Sequence, residues 1–123
     1  MTSEDFRRLA LDLDATVEAS HMGHPDFRVN GRIFATLHAD DAWGTVKLTP
    51  EEQQEFIRSF PAVFVPAAGA WGRQGYTNVA LKAATTPAVR GAMLLAWQNT
   101  AAKPRARRSS PSASKVPPRK RRV

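Results

Sequence analysis

The segment between residues 21 and 26 contains the side chains best suited to binding a metal ion. His21, His24 and Asp26 follow the pattern HxxHxD, and imidazole nitrogen and carboxylate oxygen are both zinc ligands. Gly23 and Pro25 prevent a helix that would place both histidines on one face, and no fourth ligand is apparent. We therefore expect neither a metal ion nor another cofactor, and we interpret residues 21–25 as a loop whose histidines make local hydrogen bonds.

A second candidate site is the glycine-rich segment AAGAWGRQG at 67–75, which we interpret as a loop. Its GxxGxxG spacing is neither a dinucleotide fingerprint nor a P-loop, and no GK[ST] follows. In one interpretation Trp71 and Tyr76 stack on nucleic-acid bases while Arg73 reaches a phosphate. In the other, the glycines only shape a tight connection and Trp71 packs beneath it.

The sequence offers no arrangement for nucleophilic catalysis. It contains no cysteine, which excludes disulfides, thiolate metal sites and a cysteine nucleophile. It also has no nucleophile elbow and no recognisable Ser/His/Asp order. The SxxK pattern at 112–115 lies in a segment that cannot preorganise a site. We therefore expect a protein that is not an enzyme.

Positive charge is concentrated at the C-terminus. The 123 residues carry 18 Lys and Arg against 11 Asp and Glu, a net charge of +7. Every acidic residue precedes position 56, so residues 1–102, with nine positive and eleven negative charges, have a net charge of −2. Residues 103–123 carry the other nine positive charges, starting with Lys103. The other eight are candidates for contacting DNA phosphates: Arg105, Arg107, Arg108, Lys115, Arg119, Lys120, Arg121 and Arg122.

This composition predicts a folded domain at 1–102 and a disordered basic tail at 103–123. The tail has no aromatic residue and cannot offset its own ordering entropy. A flexible basic arm binds polyanions by counterion release, without reading sequence and with strong salt dependence. The alternatives are a solubilising appendage and, in a eukaryotic cell, a nuclear-import signal in PPRKRRV.

Hydrophobic periodicity and capping patterns predict the elements of the domain. Thr49, Pro50 and Glu52 mark one helix start, because they combine a cap, a first-turn proline and a capping box. Asn30-Gly31 between two alternating runs predicts a type I′ hairpin. The predicted strands are 16–20, the two arms of 26–38, 43–48, 63–66 and 76–81, and the predicted helices are 3–13, 50–60 and 87–101. This order indicates an α+β fold, a two-layer sandwich of a mostly antiparallel sheet and three helices.

The predicted hairpin also supplies candidate basic residues. Alternation places Phe27 and Val29 on one side, so Arg28 is expected to be exposed. On the second strand, Ile33, Ala35 and Leu37 are expected to alternate with Arg32, Phe34 and Thr36. Arg28 and Arg32 flank the turn, as in a DNA-binding wing, and Lys47 on the next strand extends the same face. Ordinary solubilising arginines are the alternative.

Several motifs together resemble the MmcQ/YjbR family. They are GHPDFRV at 23–29, GRIFATL at 31–37, KL at 47–48, PEEQ at 50–53, FVPA at 64–67 and WGRQGYT at 71–77. The resemblance covers roughly residues 3–100. It implies a compact α+β fold described as CyaY-like or similar to secretion chaperones, and it implies DNA binding.

These observations predict a cytoplasmic, monomeric protein that binds DNA through its domain and its tail. No apolar run approaches the roughly 20 residues of a membrane span, and the acidic N-terminus does not resemble a secretory signal. The alternatives are a protein-interaction module and, less strongly indicated, a small-ligand or metal-binding domain. The predicted DNA-binding residues of the domain are Arg28, Arg32, Lys47, Trp71, Arg73 and Tyr76.

Overall fold

The computed structural model describes residues 1–101. The predicted tail at 103–123, with its eight candidate phosphate-binding residues, lies outside the described residues. The helices are α1 (Ser3–Leu11), α2 (Pro50–Ser59), α3 (Gly69–Arg73) and α4 (Thr86–Ala101), with a single 3-10 turn at Leu81–Ala83. The strands are β1 (Val17–His21), β2 (His24–Val29), β3 (Arg32–Leu37), β4 (Trp43–Lys47), β5 (Phe64–Pro66) and β6 (Tyr76–Ala80).

All six strands form one antiparallel sheet in the order β1-β2-β3-β4-β6-β5. One face of this sheet packs against the helices, which confirms the predicted two-layer α+β class. The core includes Phe6 of α1, Phe27 of β2, Val46 of β4 and Met93 of α4, all at most 1% exposed. Phe56 of α2 packs edge-on against Phe64 of β5, with ring centroids 5.1 Å apart.

The sequence signal for the start of α2 is confirmed. Thr49 accepts a hydrogen bond from the Glu52 amide, and the Glu52 carboxylate accepts one from the Thr49 amide. Thr2 and Asp5 form the same reciprocal pair at the start of α1. Each pair satisfies backbone donors that a helix N-terminus otherwise leaves unpaired.

Two tight turns join the first three strands. Asn30 and Gly31 have φ of 55° and 78°, which confirms the type I′ turn between β2 and β3. Met22 and Gly23, with φ of 51° and 81°, join β1 directly to β2 in the same way. The predicted loop at 21–25 is therefore wrong, because His24 and Pro25 already belong to β2.

A bulge in β3 changes the predicted alternation. Phe27 lies opposite Ala35 but Arg28 lies opposite Ile33, so Phe34 is an extra residue on β3. As a result Phe34 and Ala35 are both buried, and Ile33 lies on the same side as Arg28. The prediction that Ile33 shares a face with Ala35 and Leu37 is wrong for this reason.

The predicted glycine loop contains the short helix α3. Gly72 lies in the last turn of α3, against the backbone of Ala67, where a Cβ atom would overlap the Ala67 carbonyl. Gly75 has φ of 110° and lies equally close to the Leu48 carbonyl. These contacts hold α3 at the end of the sheet. Among residues 1–101, no helix has the length and apolar character needed to cross a membrane.

Candidate functional site

Among residues 1–101, none of the long helices packs on the sheet face opposite the core, here called the open face. Pairing and alternation identify its residues: Thr36 of β3 pairs with Thr45 of β4, and Thr45 pairs with Asn78 of β6. Lys47 and Tyr76 form the next pair toward one end of β4 and β6. Because neighbours along a strand alternate, these side chains point away from the buried Val46 and Val79 layer.

A groove of about 480 Å³ crosses the open face. We call it the cross-sheet groove. It extends from His21 on β1 to Trp71 on α3. Within the sheet this span runs from β1 to β6, which lie four strand positions apart, or roughly 19 Å at the usual interstrand spacing of ~4.8 Å. Its lining residues are His21, Ile33, Thr36, His38, Thr45, Ala67, Ala68, Trp71, Tyr76 and Asn78.

Two aromatic rings form one end of this groove. Trp71 and Tyr76 meet edge to face, with centroids 5.0 Å apart and planes at 89°. The side chain of Trp71 nevertheless remains 61% exposed, so the alternative in which Trp71 packs beneath the loop is wrong. The Lys47 ammonium lies 5.9 Å from the Tyr76 ring centre, and burial raises the pKa of the Tyr76 phenol.

The middle of the groove holds a chain of three polar side chains. The Thr45 hydroxyl donates a hydrogen bond to Asn78 Oδ1 at 2.8 Å. Because this hydroxyl has only one proton, it accepts from the His38 ring nitrogen Nε2, which lies 2.8 Å away. Burial lowers the pKa of His38 and favours its neutral form. With Oδ1 occupied, the Asn78 amide nitrogen Nδ2 has no partner among residues 1–101.

Beside the groove, Asp26 is held by two cationic or polar neighbours. Its side chain is 0% exposed and accepts two hydrogen bonds from Arg28, at 2.7 and 3.0 Å. His21 Nδ1 lies 2.6 Å from the same carboxylate. The hydrogen bond from Arg28 is the main cause that holds the pKa of Asp26 below its ordinary value.

A family model for YjbR matches residues 11–99 of this chain. The chain belongs to the YjbR family. A similar solved structure is that of protein DR2400 of Deinococcus radiodurans, described as a DUF419 domain, with a TM-score of 0.71 and 17% sequence identity. The match covers 83% of this chain and 80% of that one, and at this identity it shows a shared fold. A comparison with curated proteins found no match.

In this YjbR-family domain the residues predicted to form one DNA-binding face are divided among three places. Arg28, Lys47 and Tyr76 lie on the open face, and Trp71 lies at its end. Arg32 pairs with the buried Val29, so its side chain points to the helix-covered side. The alternation of strands and the two-residue turn put the two arginines of the predicted wing on opposite faces.

Arg73 lies apart from Trp71, although both belong to α3. It lines a second pocket of about 500 Å³ with Pro50, Gln53 and Gln54. The two side chains diverge because residues two apart on a helix do not share a face. Arg28 is half-buried, at 34%, rather than fully exposed, and its guanidinium is already paired with Asp26.

The HxxHxD residues are also arranged differently from a metal site. Within residues 1–101 no group of three or more His, Asp or Glu side chains has a geometry suited to holding a metal ion. His21 and His24 face each other across the β1–β2 turn, with ring centroids 6.1 Å apart. The carboxylate of Asp26 is directed to Arg28 and His21.

Sequence reasoning missed His38, Thr45 and Asn78, which form the floor of the groove. Alternation within 43–48 and 76–81 would have placed Thr45 and Asn78 on the polar side of their strands. It could not show that the two strands are neighbours, since β6 follows β4 only after α2, β5 and α3. Their contact is therefore a product of the topology.

Charge on the open face differs from charge on the domain as a whole. Among strand residues its charged groups are Arg28, Lys47 and Asp26, two positive and one negative. The other strand carboxylate, Glu18, pairs with the buried Phe27 and points to the opposite side. The chain's three histidines, at 21, 24 and 38, all border the open face. The face therefore carries a small positive excess on a domain of net negative charge.

Proposed function

We propose that this YjbR-family protein binds DNA through the open face of its sheet, without catalysing a reaction. The observation that carries this proposal is the separation of charge within the described residues. Acidic side chains concentrate on α1, on α2 and in the β3–β4 turn, whereas the open face combines two cations, the histidines and the aromatic pair of Trp71 and Tyr76, of which Trp71 is exposed. A polyanion that approaches this face meets a small positive excess, whereas the rest of the domain carries a net negative charge.

Lys47 is the basic residue best placed to contact a phosphate. It lies at the C-terminal end of the interior strand β4, beside the Tyr76 ring at 5.9 Å, so a backbone bound there would run along the aromatic end of the groove. Arg28 has a different role, because a phosphate would compete with the buried Asp26 for its guanidinium. The nine positive charges of residues 103–123 add affinity that does not depend on base sequence.

This arrangement supports DNA binding on the surface of the sheet, and not by a hairpin wing inserted into a groove of the duplex. A wing would need basic side chains on both strands to face the same groove of the duplex. Arg28 and Arg32 do not meet this requirement. A broad sheet face with aromatic residues is instead the kind of surface on which single-stranded nucleic acids lie.

Two matched charge variants test the proposal. Lys47→Gln and Arg90→Gln each remove one positive charge, but Arg90 is exposed on α4, on the helix side. Fluorescence anisotropy of a labelled oligonucleotide with the full chain, from about 50 to 200 mM salt, measures the affinity. We expect Lys47→Gln to weaken binding and to lower the salt slope by roughly 0.7–0.9, the value of one phosphate contact, while Arg90→Gln changes little.

A variant of the full chain in which every Lys and Arg of 103–123 is replaced by Gln separates the contribution of the domain to binding from that of the basic segment. Residual binding that still depends on Lys47 supports an interface on the open face. Equal effects of Lys47→Gln and Arg90→Gln, or complete loss of binding in the segment variant at the lowest salt, would contradict it. The latter result would favour the protein-interaction alternative for the domain.

A further inference from the structure

We propose that the cross-sheet groove holds one unpaired nucleobase of a single strand, stacked on Trp71 and hydrogen-bonded to Asn78. This inference rests on the proposed DNA binding and adds to it the kind of DNA and the way it is recognised. Three properties of the groove carry the inference: an exposed aromatic ring, an unpaired amide donor and a nearby cation.

The first property is the exposure of Trp71. An indole that is 61% exposed on a short helix offers a flat apolar surface, and a ligand that covers this surface removes it from water. The Tyr76 ring packs edge to face against the indole, with ring centroids 5.0 Å apart, and this contact holds the indole in one orientation. A fixed aromatic face beside a groove suits a flat heterocycle, because every base has a π-face to stack on it.

The second property is the free donor on Asn78. Thr45 donates to Oδ1, which orients the amide and leaves both protons of Nδ2 without a partner among residues 1–101. Asn78 is only half exposed, and a partly buried donor gains from a partner that a ligand supplies. Ring nitrogens and carbonyl oxygens of bases are such acceptors, so Asn78 favours a base over an apolar ring.

The third property is the position of Lys47, next to Tyr76 at the aromatic end. A base in the groove would leave its own or a neighbouring phosphate near the ammonium. In a duplex the bases are stacked and paired, so a sheet face cannot take one between Trp71 and Asn78 without flipping it out. The groove therefore predicts a preference for single-stranded or unpaired DNA.

The test compares two single-stranded oligonucleotides of equal length and charge, one of thymidines and one in which every nucleotide is replaced by an abasic residue. Binding to the full chain is measured by anisotropy, at one salt concentration. We expect the abasic strand to bind roughly tenfold more weakly, the usual order for the loss of one stacked base. A hairpin duplex of the same length is expected to bind more weakly than the thymidine strand.

Variants locate the effect in the groove. Trp71→Ala and Asn78→Ala should each weaken binding of the thymidine strand about as much as the abasic change does, and should hardly affect the abasic strand. Trp71→Phe should retain most of the affinity because it keeps an aromatic face. Gln98→Ala removes an exposed amide from α4, on the helix side, and should change nothing. Circular dichroism and thermal unfolding verify that each variant is folded.

The outcomes separate the groove from the proposed function. Equal affinity for the thymidine and abasic strands would overturn the base pocket, while a remaining dependence on Lys47 would still support DNA binding by the open face. No binding of any strand and no effect of Lys47→Gln would overturn both. Competition with thymidine monophosphate identifies the source of the base: a mononucleotide that binds as tightly as the strand would overturn the assignment to single-stranded DNA.

Discussion

The three glycines around α3 give a prediction that tests the geometry on which Trp71 depends. Gly69, Gly72 and Gly75 have the same spacing in sequence but different surroundings. A Cβ atom on Gly69 would meet nothing within 4 Å, although its φ is +63°. On Gly72 the atom would lie 3.0 Å from the Ala67 carbonyl carbon and closer still to its oxygen. On Gly75 it would lie 2.8 Å from the Leu48 carbonyl carbon, at a φ of +110°.

These surroundings rank the cost of substitution by alanine. Gly69→Ala incurs left-handed strain of about 1–2 kcal/mol, reduced by the roughly 0.4–1 kcal/mol that alanine gains from a less flexible unfolded chain. The net loss should lie between about 0 and 1.6 kcal/mol. Gly72→Ala has no such strain but must displace backbone, so we expect about 1–3 kcal/mol. Gly75→Ala combines both effects and should cost about 3 kcal/mol or more.

Urea unfolding of the full-length variants, followed by circular dichroism, measures these losses. Gly72→Ala should also move α3 away from Ala67, which would change the tryptophan fluorescence of the native state in a background where Trp43 and Trp97 are replaced by Phe, whereas Gly69→Ala should leave that fluorescence nearly unchanged. A Gly72→Ala variant as stable as the parent, or a larger loss for Gly69→Ala than for Gly72→Ala, would refute the close approach of α3 to the segment before it.

Three further predictions concern single residues elsewhere in the domain. Because Arg28 lowers the pKa of Asp26 from 3.8, the carboxylate stabilises the fold above that pH and this stability is lost as the pH falls through the lower folded value. Asp26→Asn should therefore be less stable at neutral pH and lose less stability below about pH 4 in thermal unfolding scans. Burial lowers the pKa of His38 from 6.5, so just below that pH the unfolded chain binds more protons than the folded one. The free energy of unfolding therefore falls as the pH drops below about 6.5, and His38→Gln should make this fall less steep. Gly31→Ala, with φ of 78° and open space around it, should cost about 1 kcal/mol in urea unfolding.

Local rules predicted much of the fold. The reciprocal bonds of Thr49 and Glu52 and the type I′ turn at Asn30-Gly31 were readable because each depends on residues within four positions of one another. The antiparallel class followed from hairpins and few helices. The Met22-Gly23 turn was not readable in the same way, because methionine seldom occupies a left-handed position and gave no turn signal.

The candidate surface was harder to predict because it depends on the direction of each side chain and on its tertiary contacts. Arg28 was expected to be exposed, but it is half-buried, and Asp26, two positions earlier on the same strand face, accepts its hydrogen bonds. Arg73 and Trp71 were grouped because they are close in sequence, yet α3 separates them into different pockets. The helix itself was missed because two of its five residues are glycine, a poor helix former, and tertiary contacts hold it in place.

The cross-sheet groove exists because of two irregularities, and this explains why periodic patterns did not reveal it. A regular β3 would turn Ile33 toward the core; the extra residue Phe34 turns it to the open face, where it becomes part of the groove wall. A plain loop after β5 would not hold an indole above the sheet, whereas α3 fixes Trp71 beside Tyr76. Departures from regular structure often mark functional positions. Here both departures border the same groove, and the regular strands between them supply Thr45 and Asn78, so the groove is formed where local rules fail, on a scaffold that obeys them.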